Sequence, residues 1–336
     1  MRLLLASSLL SPAILPVAFA HKRWLMHRPV AILCSGQGGQ HSAMFDLFAD
    51  CPASEPVFIA ASEQLGQDPR RFVREAAPAA LFADRAAQIL CCTQALAAWA
   101  GLAPARPARA VVAGYSVGEL AAWGCADALD MSAVLQLAQR RAAAMEAAAP
   151  RDSGLAAIVG LSRPVLEPIL GRHAVAIAIV NDTDSFVIGG HGAALDAVCR
   201  DASASGATRA FRLPVSVPSH TMLLGEAAEA FRIALRAAAP RLPQASYRIL
   251  SGIDGATVHD METGCDKLAR QICTPVDWAA CLESCRAAGA ALALELGPGR
   301  ALSHMAEALF PAGGTRSTED FRTVAGLRAW LSRSSD

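Results

Sequence analysis

The sequence predicts an α/β fold in two parts, a large domain interrupted by a smaller one, and three observations carry that reading. Short apolar runs, Val30 to Cys34 and Ala110 to Ala113 among them, alternate with helical periodicity along most of the chain. At 336 residues the chain exceeds the usual size of one domain. One internal segment also changes rhythm. Leu155 to Leu161 reads as a strand and Arg163 to Leu170 as a helix. Val175 to Val180 and Ser185 to Gly189 read as two strands joined by the turn-rich Asn181-Asp182-Thr183-Asp184, followed by a helix from Ala193 to Ala204 and a strand from Arg209 to Leu213. That order, βαββαβ, is the ferredoxin-like unit. It sets a small domain at 153–213 between two stretches of a large one, 29–152 and 214–336.

Composition fits a large core. Hydrophobic residues make up 53% of the chain and aromatics only 5%, and the alanine-rich segments favour helices. The formal net charge is zero, which argues against a nucleic-acid binder working by phosphate neutralisation. The 10 cysteines show no zinc-like spacing and no disulfide framework, so reduced thiols in a cytoplasmic protein and no metal are expected. The N-terminus pulls the other way. Met1-Arg2, an apolar stretch from Leu3 to Ala20 and Ala18-Phe19-Ala20 at its end resemble a secretory signal peptide. Met26 lies just before the first strand, so residues 1–28 read as either such a leader or an extension from a misassigned start. Pro12 and Pro16 interrupt the stretch, which argues against a membrane anchor.

Gly114-Tyr115-Ser116-Val117-Gly118 is the most informative motif. It sets a serine between two glycines, after a buried strand and before the apolar helical segment Leu120 to Ala126. So sharp a turn leaves no room for a Cβ on either side, and it exposes the serine Oγ at the end of the sheet. The Val117 N–H, at the helix N-terminus, then points toward an oxyanion formed there. The same pentapeptide also occurs in ordinary turns. Ser35-Gly36-Gln37-Gly38-Gly39-Gln40 follows the strand Val30 to Cys34 and is either a plain glycine-rich connection or the source of a second oxyanion N–H. It is no Walker loop, because no Lys-Ser/Thr pair follows the glycines.

Arg141 stands out for its position. Ser132 to Ala147 is helical by pattern, and Val134, Leu137, Ala138 and Met145 share a stripe with Arg141, whereas Arg140 is rotated about 100° away. A guanidinium on an apolar face needs an anionic partner. That partner is an internal carboxylate such as Glu119, or the anion of a substrate. His220 follows Pro218-Ser219, where the proline fixes the backbone beside it, and His41, His191, His259 and His304 have no motif around them; a lone histidine is ordinarily a solvated or hydrogen-bonded side chain.

Together these motifs resemble the malonyl-CoA:acyl carrier protein transacylases. The family pattern stands here as Gly36-Gln37-Gly38-Gly39-Gln40, Gly114 to Glu119, Arg141, Ser219-His220, Gln271 to Trp278 and Glu295-Leu296-Gly297-Pro298-Gly299, in family order from about Pro29 to the last helix. One departure is visible: Tyr115 replaces the histidine common before the serine. With Arg300-Ala301-Leu302, it makes the chain look most like the acyltransferase (epsilon) subunit of malonate decarboxylase.

The resemblance implies an α/β-hydrolase-like large domain with an inserted ferredoxin-like small domain, and a ping-pong malonyltransferase. Ser116 is the nucleophile and His220 its base, with the N–H groups of Gln37 and Val117 holding the oxyanion. Arg141 clamps the malonyl carboxylate, Gln88 and Asn181 lie near the substrate, and the Gln271 backbone carbonyl orients His220. Asn181 reads equally as a turn residue. Glu295 to Gly299 shapes a turn without chemistry. No bound cofactor is implied; malonyl-CoA is the substrate. The partner is an acyl carrier protein, with other malonate decarboxylase subunits alongside, and neither nucleic acid nor membrane is expected. Arg70, Arg71 and Arg74 read as a docking patch for an acidic carrier or as a solvated helix face.

Three other readings share some of these features. A malonyltransferase of fatty acid or polyketide synthesis differs only in its carrier. A serine hydrolase or thioesterase shares the elbow but needs His304 as its base and leaves Arg141 without a role. A non-catalytic carrier-binding subunit has no need of Ser116, His220 and Arg141 together.

Overall fold

The computed structural model describes residues 28–332, so all but the last residue of the leader assigned to 1–28 lies outside the described residues. Two sheets organise the chain. The first contains β1 (Val30–Cys34), β2 (Ala110–Gly114), β7 (Tyr247–Ile249), β9 (Leu292–Glu295) and β10 (Thr315–Ser317), in the order β10-β9-β1-β2-β7 with every pairing parallel. All residues of β1 and β2 are buried, the pattern of strands covered by helices on both faces. Their register runs from Val30↔Ala110 to Cys34↔Gly114, so both strands end level and the two glycine motifs emerge side by side. Ligand sites in open parallel sheets lie beyond these carboxyl ends.

The second sheet contains β3 (Ser153–Val159), β4 (Ala176–Asp182), β5 (Ser185–His191), β6 (Arg209–Arg212) and β8 (Val276–Asp277), in the order β6-β3-β5-β4-β8. β3, β4, β5 and β6 pair antiparallel, and the helices Arg163–His173 and Gly192–Ala204 fall between them in the order βαββαβ. Successive side chains point to opposite faces. Ala156, Ile158, Phe186 and Ile188 pack under the two helices with Leu166, Leu170, Leu195 and Val198. Leu155 and Val187 face the other way, into a core shared with Leu33, Val111 and Trp278 of the first part.

Two details differ from the sequence reading. β4 runs on through Asn181 and Asp182, leaving only Thr183-Asp184 as the turn, because Asp182 pairs with Ser185 to close a two-residue hairpin. The register shifts between Val180 and Asp182, at Asn181. The second sheet also recruits β8 from the Gln271 to Trp278 segment, which pairs parallel to β4.

The helix Asp84–Gly101 is buried on all sides from Ala87 onward, because it is wedged among neighbouring helices, Glu55–Leu65, Gly118–Cys125 and Met131–Ala148. Among the described residues no helix is long and apolar enough to cross a membrane, and the ten cysteines are unpaired.

Candidate active site

Sterics write the elbow. A Cβ on Gly114 would lie 2.1 Å from Glu119 N, and one on Gly118 would lie 2.1 Å from the Cys34 carbonyl oxygen. Between them Ser116 takes φ 55°, a left-handed conformation that costs a non-glycine residue about 1–3 kcal/mol. The Tyr115 N–H donates to the Cys34 carbonyl at 2.9 Å and holds the turn against β1. Val117 is the N-cap of the helix Gly118–Cys125, so its N–H belongs to the first-turn donors without an intrahelical acceptor. The glycine loop packs against the same turn: a Cβ on Gly36 would lie 2.7 Å from the Tyr115 carbonyl oxygen and 3.6 Å from Ser116 Cβ. Gln37 follows directly. Glu295 to Gly299 lies behind this loop. The Glu295 carboxylate accepts from Ser35 Oγ at 2.7 Å, and a Cβ on Gly39 would lie 2.6 Å from the Pro298 carbonyl oxygen.

Ser116 Oγ lies 2.8 Å from His220 Nε2, and His220 Nδ1 lies 2.6 Å from the Gln271 carbonyl oxygen. A carbonyl only accepts, so Nδ1 carries the proton and Nε2 is left to accept from the serine hydroxyl. His220 also has a positive φ, 63°, and its N–H donates to the Ile272 carbonyl at 2.8 Å. Burial, and then the Arg141 charge, hold its pKa down to about 3 against the opposing pull of the Gln271 carbonyl. The imidazole is therefore neutral, as a base must be.

Arg141 is buried on the helix Met131–Ala148 together with Val134, Leu137, Ala138 and Met145, while Arg140 is exposed. Its Nη1 donates to Gln88 Oε1 at 2.8 Å. Its Nη2 donates to Gln271 Oε1 at 3.2 Å and approaches Ser116 Oγ at 3.5 Å. The salt bridge to Glu119 allowed by the sequence is not formed. The Glu119 carboxylate instead accepts from Gln271 Nε2 at 2.5 Å and from the Gly252 N–H at 3.0 Å. Burial pushes Glu119 up to about 7, and burial lowers the Arg141 pKa while Asp84, Cys92 and Glu119 oppose the change.

Two residues of the cluster escaped the sequence reading. Asp84 accepts from Gln37 Nε2 at 2.8 Å on one carboxylate oxygen and from Gln88 Nε2 at 2.8 Å on the other. The available signal was its spacing, four residues before Gln88 on one helix. Glu119 was considered only as a partner for Arg141, and its bond to Gln271 crosses from one motif to another.

Other expectations meet different surroundings. Asn181 is not hydrogen-bonded to Ser116, His220 or Arg141; its Oδ1 accepts from the Tyr115 hydroxyl at 3.0 Å. The Tyr115 ring stands edge-on to Trp278 with centroids 5.5 Å apart, and burial pushes its phenol pKa up. His304 sits on the short helix Ala301–Ala306, and the imidazole on Ser116 is that of His220. The proposed docking arginines are each held by local acids: Arg70 by Glu55 and Asp68, Arg71 by Glu75 and Arg74 by Asp46. Their charge is largely neutralised in place, which corrects the reading of a free basic patch. No group of three or more His, Cys, Asp or Glu side chains among the described residues is arranged to hold a metal ion.

Residues 32–310 match the acyl transferase domain family. The malonyl CoA-acyl carrier protein transacylase of Escherichia coli K12 is 31% identical over 288 residues, 81% of this chain and 90% of that protein. A crystal structure of an acyl-carrier-protein S-malonyltransferase from Burkholderia pseudomallei aligns with TM-score 0.83 at 29% identity, over 90% of this chain and 99% of that one. A malonyl-transacylase solved in complex with a type II polyketide synthase acyl-carrier protein aligns with TM-score 0.79 at 27% identity, over 86% and 94%. The chain belongs to the acyl transferase domain family, and it is an acyltransferase.

Proposed function

We propose that this acyltransferase is a malonyl-CoA:acyl carrier protein S-malonyltransferase, working by a ping-pong route through a malonyl-serine. One observation carries the acyl-group reading. The buried guanidinium of Arg141 reaches to 3.5 Å from the nucleophile and is held by two neutral amide oxygens, with no carboxylate among the described residues hydrogen-bonded to it. A buried cation gains most from an anionic partner. A malonyl group on Ser116 carries its free carboxylate two bonds beyond the ester carbonyl carbon, within reach of this cation. An acetyl group leaves it unpaired.

In the first half-reaction Ser116 Oγ attacks the thioester carbonyl carbon and passes its proton to His220 Nε2. The N–H groups of Gln37 and Val117 hold the oxyanion, and Arg141 holds the distal carboxylate. Collapse breaks the C–S bond, and CoA leaves as its thiol with the proton from His220. The carrier thiol then attacks the malonyl ester, His220 takes the thiol proton and returns it to Ser116 Oγ, and malonyl-carrier is released. No metal or redox cofactor enters this sequence. We read residues 29–152 and 214–336 as a hydrolase-like large domain and 153–213 as the ferredoxin-like small domain, with the chemistry at their junction. The likeness to a transacylase solved with its carrier supports an acyl carrier protein as partner. A CoA thioester donor places the enzyme in the cytoplasm.

The finer reading, the acyltransferase subunit of malonate decarboxylase, rests on Tyr115-Ser116-Val117 and Arg300-Ala301-Leu302. One experiment tests both levels. The chain is loaded with malonyl-CoA, its intact mass is measured, and the decarboxylase carrier and a fatty-acid-synthesis carrier are then offered in competition. A malonyl adduct should form on Ser116, vanish in Ser116→Ala with a loss of transfer of about 10³-fold or more, and pass preferentially to the decarboxylase carrier. Release of free malonate without transfer makes the chain a hydrolase. Preference for the other carrier moves it to fatty acid synthesis and leaves the malonyltransferase reading intact.

A further inference from the structure

We propose that Asp84 is a positioning residue that sets the acyl-group preference of the site, by fixing which atom of the Gln88 amide faces Arg141. The proposal rests on the malonyltransferase reading. A glutamine amide has an acceptor at one end and a donor at the other, and the two are almost the same shape. Only the oxygen suits a guanidinium. Asp84, as a carboxylate, only accepts, so it can engage Gln88 through Nε2 alone, at 2.8 Å, and Oε1 is thereby turned to Arg141 Nη1 at 2.8 Å. On the far side of the guanidinium the same device recurs. The Glu119 carboxylate takes Gln271 Nε2, and Gln271 Oε1 faces Arg141 Nη2. The cation is thus held at both nitrogens by amide oxygens, each amide bonded through its Nε2 to an acidic side chain one bond further back.

This arrangement serves substrate choice. A carboxylate touching Arg141 directly would compete with the carboxylate of the acyl group. Withdrawn behind an amide, Asp84 still helps to keep the guanidinium charged and leaves its contact positions to the substrate. The second Asp84 oxygen binds the side chain of Gln37, next to the glycine loop. One carboxylate therefore ties the group that reads the distal end of the acyl chain to the loop beside the reacting carbonyl.

The test is Asp84→Asn, assayed for Ser116 acylation from malonyl-CoA and, separately, acetyl-CoA by quenched intact-mass measurement. The substituted side chain presents a donor as well as an acceptor, so Gln88 is no longer held in one orientation, and a turned Gln88 sets its NH2 against Arg141 Nη1. KM for malonyl-CoA should rise about 10-fold with a smaller change in kcat, acetylation should stay within about 2-fold, and the malonyl-to-acetyl ratio should fall about 10-fold. Gln88→Met should lower the ratio similarly, and adding Asp84→Asn to it should lower the ratio no further, because the effect runs through Gln88. Asp84→Ser, which removes the carboxylate from the first residue of the helix Asp84–Gly101, carries the same test if the asparagine variant does not fold. An equal fall for both acyl groups, or full additivity in the double variant, reduces Asp84 to a structural residue of the helix's first turn. A wild-type chain without malonyl preference overturns the functional reading. A wild-type chain with that preference and an Asp84→Asn variant that keeps it overturns the Asp84 proposal alone.

Discussion

Arg70, Arg71 and Arg74 lie together on the helix Pro69–Glu75, and each meets a carboxylate within 2.9 Å. Arg141 lies on another helix, buried, and meets amide oxygens instead. Clustered exposed arginines are the more conspicuous feature in a sequence, yet their charge is met on the spot by Glu55, Asp68, Glu75 and Asp46. The solitary buried arginine keeps its charge for something else. An arginine's capacity to recognise an anion is decided by what already touches it, and its visibility in the sequence has little bearing on that.

Removing the buried cation is the strongest way to break this contrast. Arg141→Ala should lower kcat/KM for malonyl-CoA about 10²-fold while acetyl transfer holds or rises, since the change removes both an attraction and an unpaired charge. If both donors suffer alike, Arg141 serves the fold.

A smaller effect should appear in pH dependence, confined to the buried cluster. His220 is held at about 3 in the folded chain against an ordinary 6.5, so the unfolded chain takes up a proton at 6.5 that the folded one refuses. Its contribution to stability is therefore lost as pH falls from about 6.5 toward 3. Glu119 works in the opposite sense. Its folded value of about 7 against 4.5 means that the folded chain takes up the proton first and gains stability between about pH 7 and 4.5. The melting temperature of the wild type should change little between pH 6.5 and 4.5 and then fall. In Glu119→Gln it should fall from about 6.5 downward. The acylation rate of Glu119→Gln should show no acid limb near 6.5, and a limb there would mean that His220 titrates as an ordinary imidazole.

The surface arginines should give the smallest effects. Arg71→Ala and Arg74→Ala should leave kcat/KM for the carrier within about 2-fold, as exposed pairs contribute little. Arg70→Ala should cost about 1 kcal/mol of stability, because its guanidinium also lies over Phe58 at 4.5 Å. A carrier kcat/KM more than 5-fold lower in any of the three would restore the docking patch.

What the sequence made legible follows the same logic. The elbow could be read because its steric demand allows nothing but glycine at 114 and 118, and Arg141 because helical period alone put it on the apolar stripe. His220 needed the family pattern, since a histidine after Pro218-Ser219 carries no mark of its base role. The roles of Asp84 and Glu119 stayed hidden because the choice of hydrogen-bond partner depends on rotamers set by packing. Asn181 was misplaced in a turn because Asn, Asp and Thr together favour one; a two-residue hairpin needed only half of them. β8 has two residues, too few for any periodicity to show.

That short strand bears on protein engineering. Val276 and Asp277 complete the second sheet five residues after Gln271, whose carbonyl holds His220 and whose amide holds Arg141. Residues 153–212 are therefore not a cassette that can be exchanged alone. A chimera taking only that block from a relative would seat a foreign β4 against the host β8, and any misfit along the seam would be passed to the base and the cation together. A graft meant to alter specificity should carry 271–278 with it, as two cuts in the gene serving one joint in the protein.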